Sequence, residues 1–508
     1  MKLFSATFTI LTVFLLSCNV TSNESLSETD IICVMPDHND SISLDKELSQ
    51  FEGLSKKKTG VYVLEDGASS LVTRAWLSEY AETSIDIQYF IFSTDNIGLI
   101  ALDYLVRAAD RGVKVRILVD DIMLDADIED IASIASHENI EIKVYNPGVN
   151  VGKNIFEKIG KFASDFRSAN QRMHNKTFIV DGKVVITGGR NIADEYFDFD
   201  HEFNFRDRDV LLLGTIIPTV EASFSTYWEN DICVSIEQLV DIPKPKQQTF
   251  KALHEYACNP KNFWPQVRER IKNLPETFEE IRNTKRIHWI DQVEFIADIP
   301  GKNDGSEGLG GGGVTTDKLI ELVQHATSSV DIQSPYLITT EKSRSLFKKM
   351  VDRGVKIRIL TNSLGSTDNI EAFSGYQRDR DELLATGVQI FEFKPDAKES
   401  KEIMTSALQE KSDFNPIFGL HAKTMAIDGQ TVVIGTFNLD PRSANLNTEC
   451  LTIIHDKTIT QDVLEIMNTA FLPENSWKIT TNFNPDSEVG TKKRIDTWTR
   501  KIVPKGIL

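Results

Sequence analysis

The chain has 508 residues, 41% of them hydrophobic, and a formal charge of −19. Length and composition allow about three globular units with buried cores, and beyond the N-terminus no apolar run is long enough to span a bilayer. The acidity argues against a duplex-binding protein, whose affinity comes from neutralising phosphates. It also means that contact with anionic lipid needs a locally basic surface or a bridging cation.

At the N-terminus, Lys2 precedes a short apolar stretch that ends in Leu15-Leu16-Ser17-Cys18. The stretch is too short for a good transmembrane helix and suits a signal peptide over residues 1–17. Leu-Leu-Ser-Cys resembles a bacterial lipobox, which implies a lipid on Cys18. The chain is then exported and anchored to a bacterial membrane (outer membrane or cell surface) or secreted. A plain signal peptide with a chance cysteine, or an uncleaved anchor, is the alternative. Export permits disulfides. Cys33, Cys233, Cys258 and Cys450 allow three pairings or none, and their spacing matches no zinc site. Residues 18–58 are polar and read as a tether.

From residue 59 the chain says the same thing twice. Ser84-Ile85-Asp86-Ile87-Gln88 matches Ser329-Val330-Asp331-Ile332-Gln333, and ADRGVKVRIL from Ala109 matches VDRGVKIRIL from Val351. IEIKVYNP from Ile140 roughly matches VQIFEFKP from Val388, and the separation stays near about 245 residues throughout. Each copy predicts a helix (71–80, 318–326), an apolar strand (85–92, 330–336), a second helix capped by Gly112 or Gly354, and a β-rich run (113–119, 355–360). Strands alternating with helices predict an α/β fold with a largely parallel sheet, and two copies predict a pseudo-dimer within one chain. The first half spans 59–235, a connecting segment 236–300 with a helix at 265–272, the second half 301–475, and a tail 476–508. Residues 308–313, GLGGGG, read as a mobile loop. Nearby Asp304 and Glu307 suit a hard cation or, better, a solvated acidic loop. Between 153 and 167, Ile155, Ile159, Phe162 and Phe166 share a helical face beside Lys153, Lys158, Lys161 and Arg167. That face suits a lipid headgroup layer or packing on its own domain.

Each half then carries one motif: HNKTFIVDGKVVITGGRN from His174 and HAKTMAIDGQTVVIGTFN from His421. Asp181-Gly182 and Asp428-Gly429 sit between apolar runs, the strongest short hairpin signal, so both Asp residues are turn residues first. His174 and Lys176, like His421 and Lys423, are two apart on a strand and share a face. The hairpin returns Asn191 or Asn438 beside its His-Lys pair, while Gly188 and Gly435 permit close approach. Two Lys and two Asn, brought together by a two-fold axis, suit a phosphate. Two imidazoles supply a nucleophile and a general acid. Each half holds half of that set, which explains the duplication. No metal or cofactor is needed for the chemistry, although a divalent cation such as calcium is a candidate stimulant, bridging an acidic protein to anionic lipid.

The pattern His-x-Lys-x4-Asp-x6-Gly-x2-Asn resembles the HKD motif of the phospholipase D superfamily, over roughly residues 59–475. GGRNIADEYF from Gly188, and FNLDPRS from Phe437 with Asn447-Thr448-Glu449, resemble the motifs of its cardiolipin synthase C-like branch. The resemblance implies two α/β halves with the site at their junction. It implies His174 as the nucleophile that becomes a phosphohistidine, and His421 as general acid and then base. Lys176, Lys423, Asn191 and Asn438 would be phosphate ligands. A downstream carboxylate should hydrogen-bond each histidine. Glu449 fits this in the second half, with Asp209 as its repeat partner; a salt bridge from Asp209 to Arg206 or Arg208 is the alternative. Where many relatives have Gly-Ser, this chain has Gly188-Gly189 and Gly435-Thr436, which puts one phosphate contact in doubt. The expected function is a membrane-attached phospholipase D acting on a glycerophospholipid as a monomer. Phosphatidyl transfer of the cardiolipin synthase type is the alternative, and an HKD nuclease is less favoured because no nucleic acid partner is expected.

Overall fold

The computed structural model describes residues 43–121, 128–148, 170–244, 247–262, 267, 271, 286–303, 309–399 and 416–508. The signal peptide, Cys18, Cys33, the 153–167 segment, most of 265–272, and Asp304 and Glu307 lie outside the described residues. Among the described residues no helix is long and apolar enough to cross a membrane.

Two mixed sheets carry the fold, one of nine strands and one of eight. In the first the order is His288–Ile290, Thr59–Leu64, Asp209–Gly214, Val184–Gly188, Thr177–Val180, Ser84–Tyr89, Lys114–Asp120, Ile140–Tyr145, Cys233–Ser235. In the second it is Val293–Ala297, Cys450–Ile454, Thr431–Gly435, Thr424–Ile427, Ser329–Gln333, Lys356–Asn362, Gln389–Phe393, Ser476–Lys478. Beyond one extra edge strand, the two orders are the same, as the internal repeat requires. The sheets are not largely parallel. Among the described residues of each of these two sheets, only the three strands joined by helical crossovers pair in parallel. The motif hairpins and the strands that follow them run antiparallel, because tight Asp-Gly turns reverse the chain. The segment between the halves gives an edge strand to each sheet, so it joins both rather than merely linking them.

The expected helices form at Gly67–Tyr80 and Val314–His325, and those ending in Arg-Gly at Asn96–Asp110 and Glu341–Asp352. Gly112 and Gly354 stand just past the latter two with φ of 96° and 90°, where a side chain would be strained.

The hairpin strands read as continuous apolar runs because both of their faces are buried. Phe178, Val180, Val184 and Ile186 face the core of the first half, while Ile179 and Val185 on the alternate face enter a second core. Met425, Ile427 and Val433 face the core of the second half, and Ala426, Val432 and Ile434 enter that same second core. The period of two thus builds three layers of packing, the middle one shared by the two halves. A short parallel pair, Phe203–Arg206 with Ile417–Leu420, also crosses the junction.

Candidate active site at the junction of the halves

Both hairpin turns form as read. Asp181 and Gly182 have φ of 52° and 62°, Asp428 and Gly429 53° and 63°, the primed geometry that suits right-twisted strands. The Asp181 carboxylate accepts from the backbone N–H groups of Glu82, Thr83 and Ser84 at 2.7–2.9 Å, and Asp428 does the same for Thr327, Ser328 and Ser329. Against the upward push of partial burial, those donors hold the Asp428 carboxyl down to about 2. Both Asp residues therefore tie the turn to the preceding helix–strand corner, away from the chemistry.

The other ends of the hairpins meet across the junction. His174 N–H donates to the Thr448 carbonyl at 2.9 Å, and His421 N–H to the Arg206 carbonyl at 2.8 Å. Each histidine thus lies beside the segment that leads into a carboxylate of the opposite half. His174 Nδ1 meets Glu449 Oε2 at 2.8 Å, and His421 Nδ1 meets Asp207 Oδ2 at 2.5 Å. A carboxylate on Nδ1 fixes the tautomer and leaves Nε2 as the reactive nitrogen. The imidazoles are about 6% and 5% exposed. Phe90 packs edge-on against His174, and Tyr196 edge-on against His421 with Phe205 tilted beside it, so the rings cannot swing.

Asp209 does not fill the role expected of it. Its carboxylate is fully buried against Arg74 at 2.9 Å and Arg190 at 3.5 Å, and it accepts from the Ser70 hydroxyl at 2.8 Å. The alternative partners, Arg206 and Arg208, pair instead with Glu399 and Glu65. Sheet register explains the correction. Gly188 pairs with Asp209, and Gly435 with Leu451. Asp209 is therefore the counterpart of Leu451, and the counterpart of Glu449 is Asp207. The first half has a longer segment between Asn191 and this strand, so counting from the Asn misplaces the acid, whereas counting back from the strand finds it.

The two halves also differ beside the carboxylates. Thr436 Oγ1 donates to Glu449 Oε2 at 2.5 Å, so one of the two doubted hydroxyls is present and serves the carboxylate. Its counterpart Gly189 has no room for a side chain, since a Cβ there would lie 2.0 Å from Asp207 Oδ1. A Cβ on Gly435 would lie 2.3 Å from the Cys450 carbonyl oxygen. Asp207 Oδ1 instead accepts from the Arg208 N–H at 2.7 Å.

The lysines are buried with the histidines. Lys176 Nζ donates to the His174 carbonyl at 2.9 Å, and Lys423 Nζ to the His421 carbonyl at 2.5 Å, with the His421 ring 2.8–3.0 Å away. Asn191 Oδ1 accepts from the Ile91 N–H at 3.1 Å. Asn438 is buried, and its Oδ1 has no hydrogen-bond partner among the described residues. Burial and then Lys423 push Lys176 down to about 7, and burial, opposed by Asp207, takes Lys423 to about 8. Burial also takes His174 to about 4 against the pull of Glu449, and burial with Lys423 takes His421 to about 3. Each motif feels the lysine of the other, so the four cationic groups form one cluster. An anion entering it favours every protonated form and lifts all four values.

An apolar cavity of about 260 Å³ opens nearby in the first half. Leu99, Leu102, Ile117, Ile134, Ile142 and Leu253 line it, with Phe92 and Ser93 on its rim. Phe92 bridges to Ile192, and Ser93 N–H donates to the Ile192 carbonyl, directly after Asn191. Asp103, His254 and Cys258 cluster on the flanking helices, but Cys258 is disulfide-bonded and offers no thiolate to a metal. Cys233 and Cys450 are free and buried.

Fold and site together define a two-half α/β protein whose junction buries a His–Lys pair from each half, each histidine on a carboxylate of the other half. The family profile described as "Cardiolipin synthase, PLD-like domain" matches residues 78–228 and again 319–470. The chain belongs to this phospholipase D-like family. Cardiolipin synthase C of Escherichia coli is 33% identical over 402 residues, which is 79% of this chain and 82% of that one. Cardiolipin synthase 1 of Bacillus cereus is 24% identical over 478 residues, 94% of this chain and 78% of that one. The crystal structure of a phosphatidylserine synthase from Haemophilus influenzae shares the fold, with TM-score 0.56 at 13% identity over 91% of this chain and 100% of that one.

Proposed function

We propose that the chain is a phosphatidyltransferase of the cardiolipin synthase type, working through a phosphohistidine. His174 Nε2, its Nδ1–H held by Glu449, attacks the phosphorus of a glycerophospholipid. The P–O bond to the headgroup alcohol breaks, and His421, protonated at Nε2 and braced by Asp207, gives its proton to the leaving oxygen. Lys176, Lys423, Asn191 and Asn438 hold the phosphoryl oxygens as charge develops. His421, now neutral, then takes the proton of an incoming lipid hydroxyl, whose oxygen attacks phosphorus and frees His174.

The observation that carries this reading is the crossed pair of His–carboxylate bonds, which sets two imidazoles in reactive tautomers around one buried cationic cluster. Transfer is favoured over hydrolysis, the first expectation from the sequence, because relatives that align over most of the chain carry the name cardiolipin synthase. The apolar cavity of the first half, whose rim residues Phe92 and Ser93 meet the backbone of Ile192, supports a lipid over a nucleic acid, since it offers an acyl chain a place out of water. The export signal and a lipid on Cys18 would keep the enzyme at its substrate.

The test is mass spectrometry of products from vesicles of phosphatidylglycerol. Transfer yields cardiolipin and free glycerol; phosphatidic acid as the main product would instead establish hydrolysis. His174→Ala should abolish both, and so should His421→Ala, because the leaving oxygen then has no proton donor and the phosphohistidine does not form.

A further inference from the structure

The acidic chain leaves a physical problem: how does it approach an anionic bilayer? The C-terminal helix Thr491–Arg500 answers it. Between 491 and 505 the sequence has six cations, Lys492, Lys493, Arg494, Arg500, Lys501 and Lys505, against the single acid Asp496, in a chain of formal charge −19. Ile495, Trp498 and Ile502 are 55%, 68% and 88% exposed. Ile495 and Trp498, three apart on the helix, share a face, Ile502 follows in the turn just past the helix end, and Thr497 on the other side of the helix is buried.

These residues are not a loose end. Arg378 Nη1 donates to the carbonyls of Lys501 and Val503 at 3.0 Å each, Lys493 Nζ to the Thr367 carbonyl at 3.2 Å, and Arg500 pairs with Glu371 at 3.1 Å. The fold therefore holds a large ring and two branched side chains out in water at a fixed angle. A Trp flanked by Lys and Arg has both an apolar body and polar neighbours, the composition that settles at the headgroup boundary of a membrane.

The chain end that follows this helix packs on the loop after the second motif. Arg442, which follows Asn438, donates through its N–H to the Leu508 carbonyl at 3.3 Å and through Nη1 to the Ile507 carbonyl at 3.2 Å. Next to Thr367, Asp368 accepts from Tyr336 at 2.8 Å and acts on the Lys423 ammonium.

We propose that residues 491–502 are the membrane-docking surface. Ile495, Trp498 and Ile502 enter the headgroup–acyl boundary of an anionic bilayer, and Lys492, Arg494 and Lys501 meet its phosphates. Docking there holds the second catalytic motif against the lipid surface. The proposal rests on the phospholipid reading above.

The test uses the full chain and vesicles of phosphatidylglycerol doped with bromine-labelled acyl chains, which quench nearby tryptophan emission. Quenching is expected in the wild type, with more than about half of it lost in Trp498→Phe. Ile495→Ser/Trp498→Ser/Ile502→Ser should lower turnover on vesicles by about tenfold or more, while turnover of a water-soluble short-chain phosphatidylglycerol stays within about twofold. Unchanged quenching in Trp498→Phe, as for a face that docks a protein instead, overturns the proposal. So does equal loss on vesicles and on the soluble substrate. A wild type that turns over neither lipid form, yet loses quenching in Trp498→Phe, supports docking and removes the phospholipid reading.

Discussion

At the scale of single residues, the most informative pair is Asp207 and Asp209, two apart and both fully buried in one half. Asp207 touches His421; Asp209 touches Arg74 and Arg190. Asp207→Asn should lower the turnover number by about 10²–10⁴-fold with little loss of stability, because an amide no longer selects the reactive tautomer. Asp209→Asn should instead cost about 3–5 kcal/mol of stability by stranding buried guanidinium charge, visible as a lower melting temperature. Steady-state kinetics and thermal denaturation on the two variants separate the roles. The lysines make a second prediction. Lys176 and Lys423 are depressed to about 7 and about 8 in the free protein, so both lose charge as pH rises through that window. kcat/KM for an anionic diester should therefore fall above about pH 7. kcat should hold to higher pH, because the bound phosphate keeps both ammonium groups protonated. A pH–rate profile in which both parameters fall together would contradict this. The histidines, depressed to about 4 and about 3, bind protons in the unfolded chain before the folded one does. Their contribution to stability is therefore complete above about pH 6.5 and is lost as pH falls toward those values.

At the scale of elements, the hairpins were legible in the sequence because each of their constraints is local. Asp-Gly demands positive φ at two successive residues, burial of both faces demands a continuous apolar run, and a period of two puts His and Lys side by side. Asp207 was not legible, because its position depends on pairing between the strands Val184–Gly188 and Asp209–Gly214 and on a longer excursion between them, a long-range register that spacing alone cannot give. Nor was Gly189 legible as anything but a missing hydroxyl, since its reason is a carboxylate from another strand. It follows that Gly189→Ser should lower turnover sharply here, because the new Cβ displaces Asp207. Thr436→Ser, which keeps the hydroxyl on Glu449, should be nearly neutral. The apolar cavity was equally invisible, being assembled from two strands and three helices. Filling it by Leu102→Trp should depress turnover of long-chain lipid while sparing a short-chain analogue, measured as the ratio of kcat/KM values. An unchanged ratio would show that the acyl chain lies elsewhere.

At the scale of the whole molecule, duplication does more than supply two copies of a motif. Each imidazole is oriented by a carboxylate from the opposite half, and the alternate faces of both hairpins fill one common core. Arg208 of the first half pairs with Glu65 and also donates to Gln333 and Thr424 of the second, at 3.0 and 2.8 Å. The halves therefore depend on each other both for reactivity and for cover of their apolar surface. A half expressed alone exposes Ile179, Val185 and Leu212, or Ala426, Val432 and Ile434, and leaves its histidine without a carboxylate. Truncation of a residue in the shared core should then destabilise both halves at once. Leu212→Ala is expected to cost about 2–5 kcal/mol and to shift the unfolding of both halves together, followed by hydrogen exchange at the Ser84–Tyr89 and Ser329–Gln333 strands. Independent halves would give exchange accelerated in the first sheet alone, and in that case the crossed carboxylates would be a convenience of packing rather than the reason the chain carries its site in two pieces.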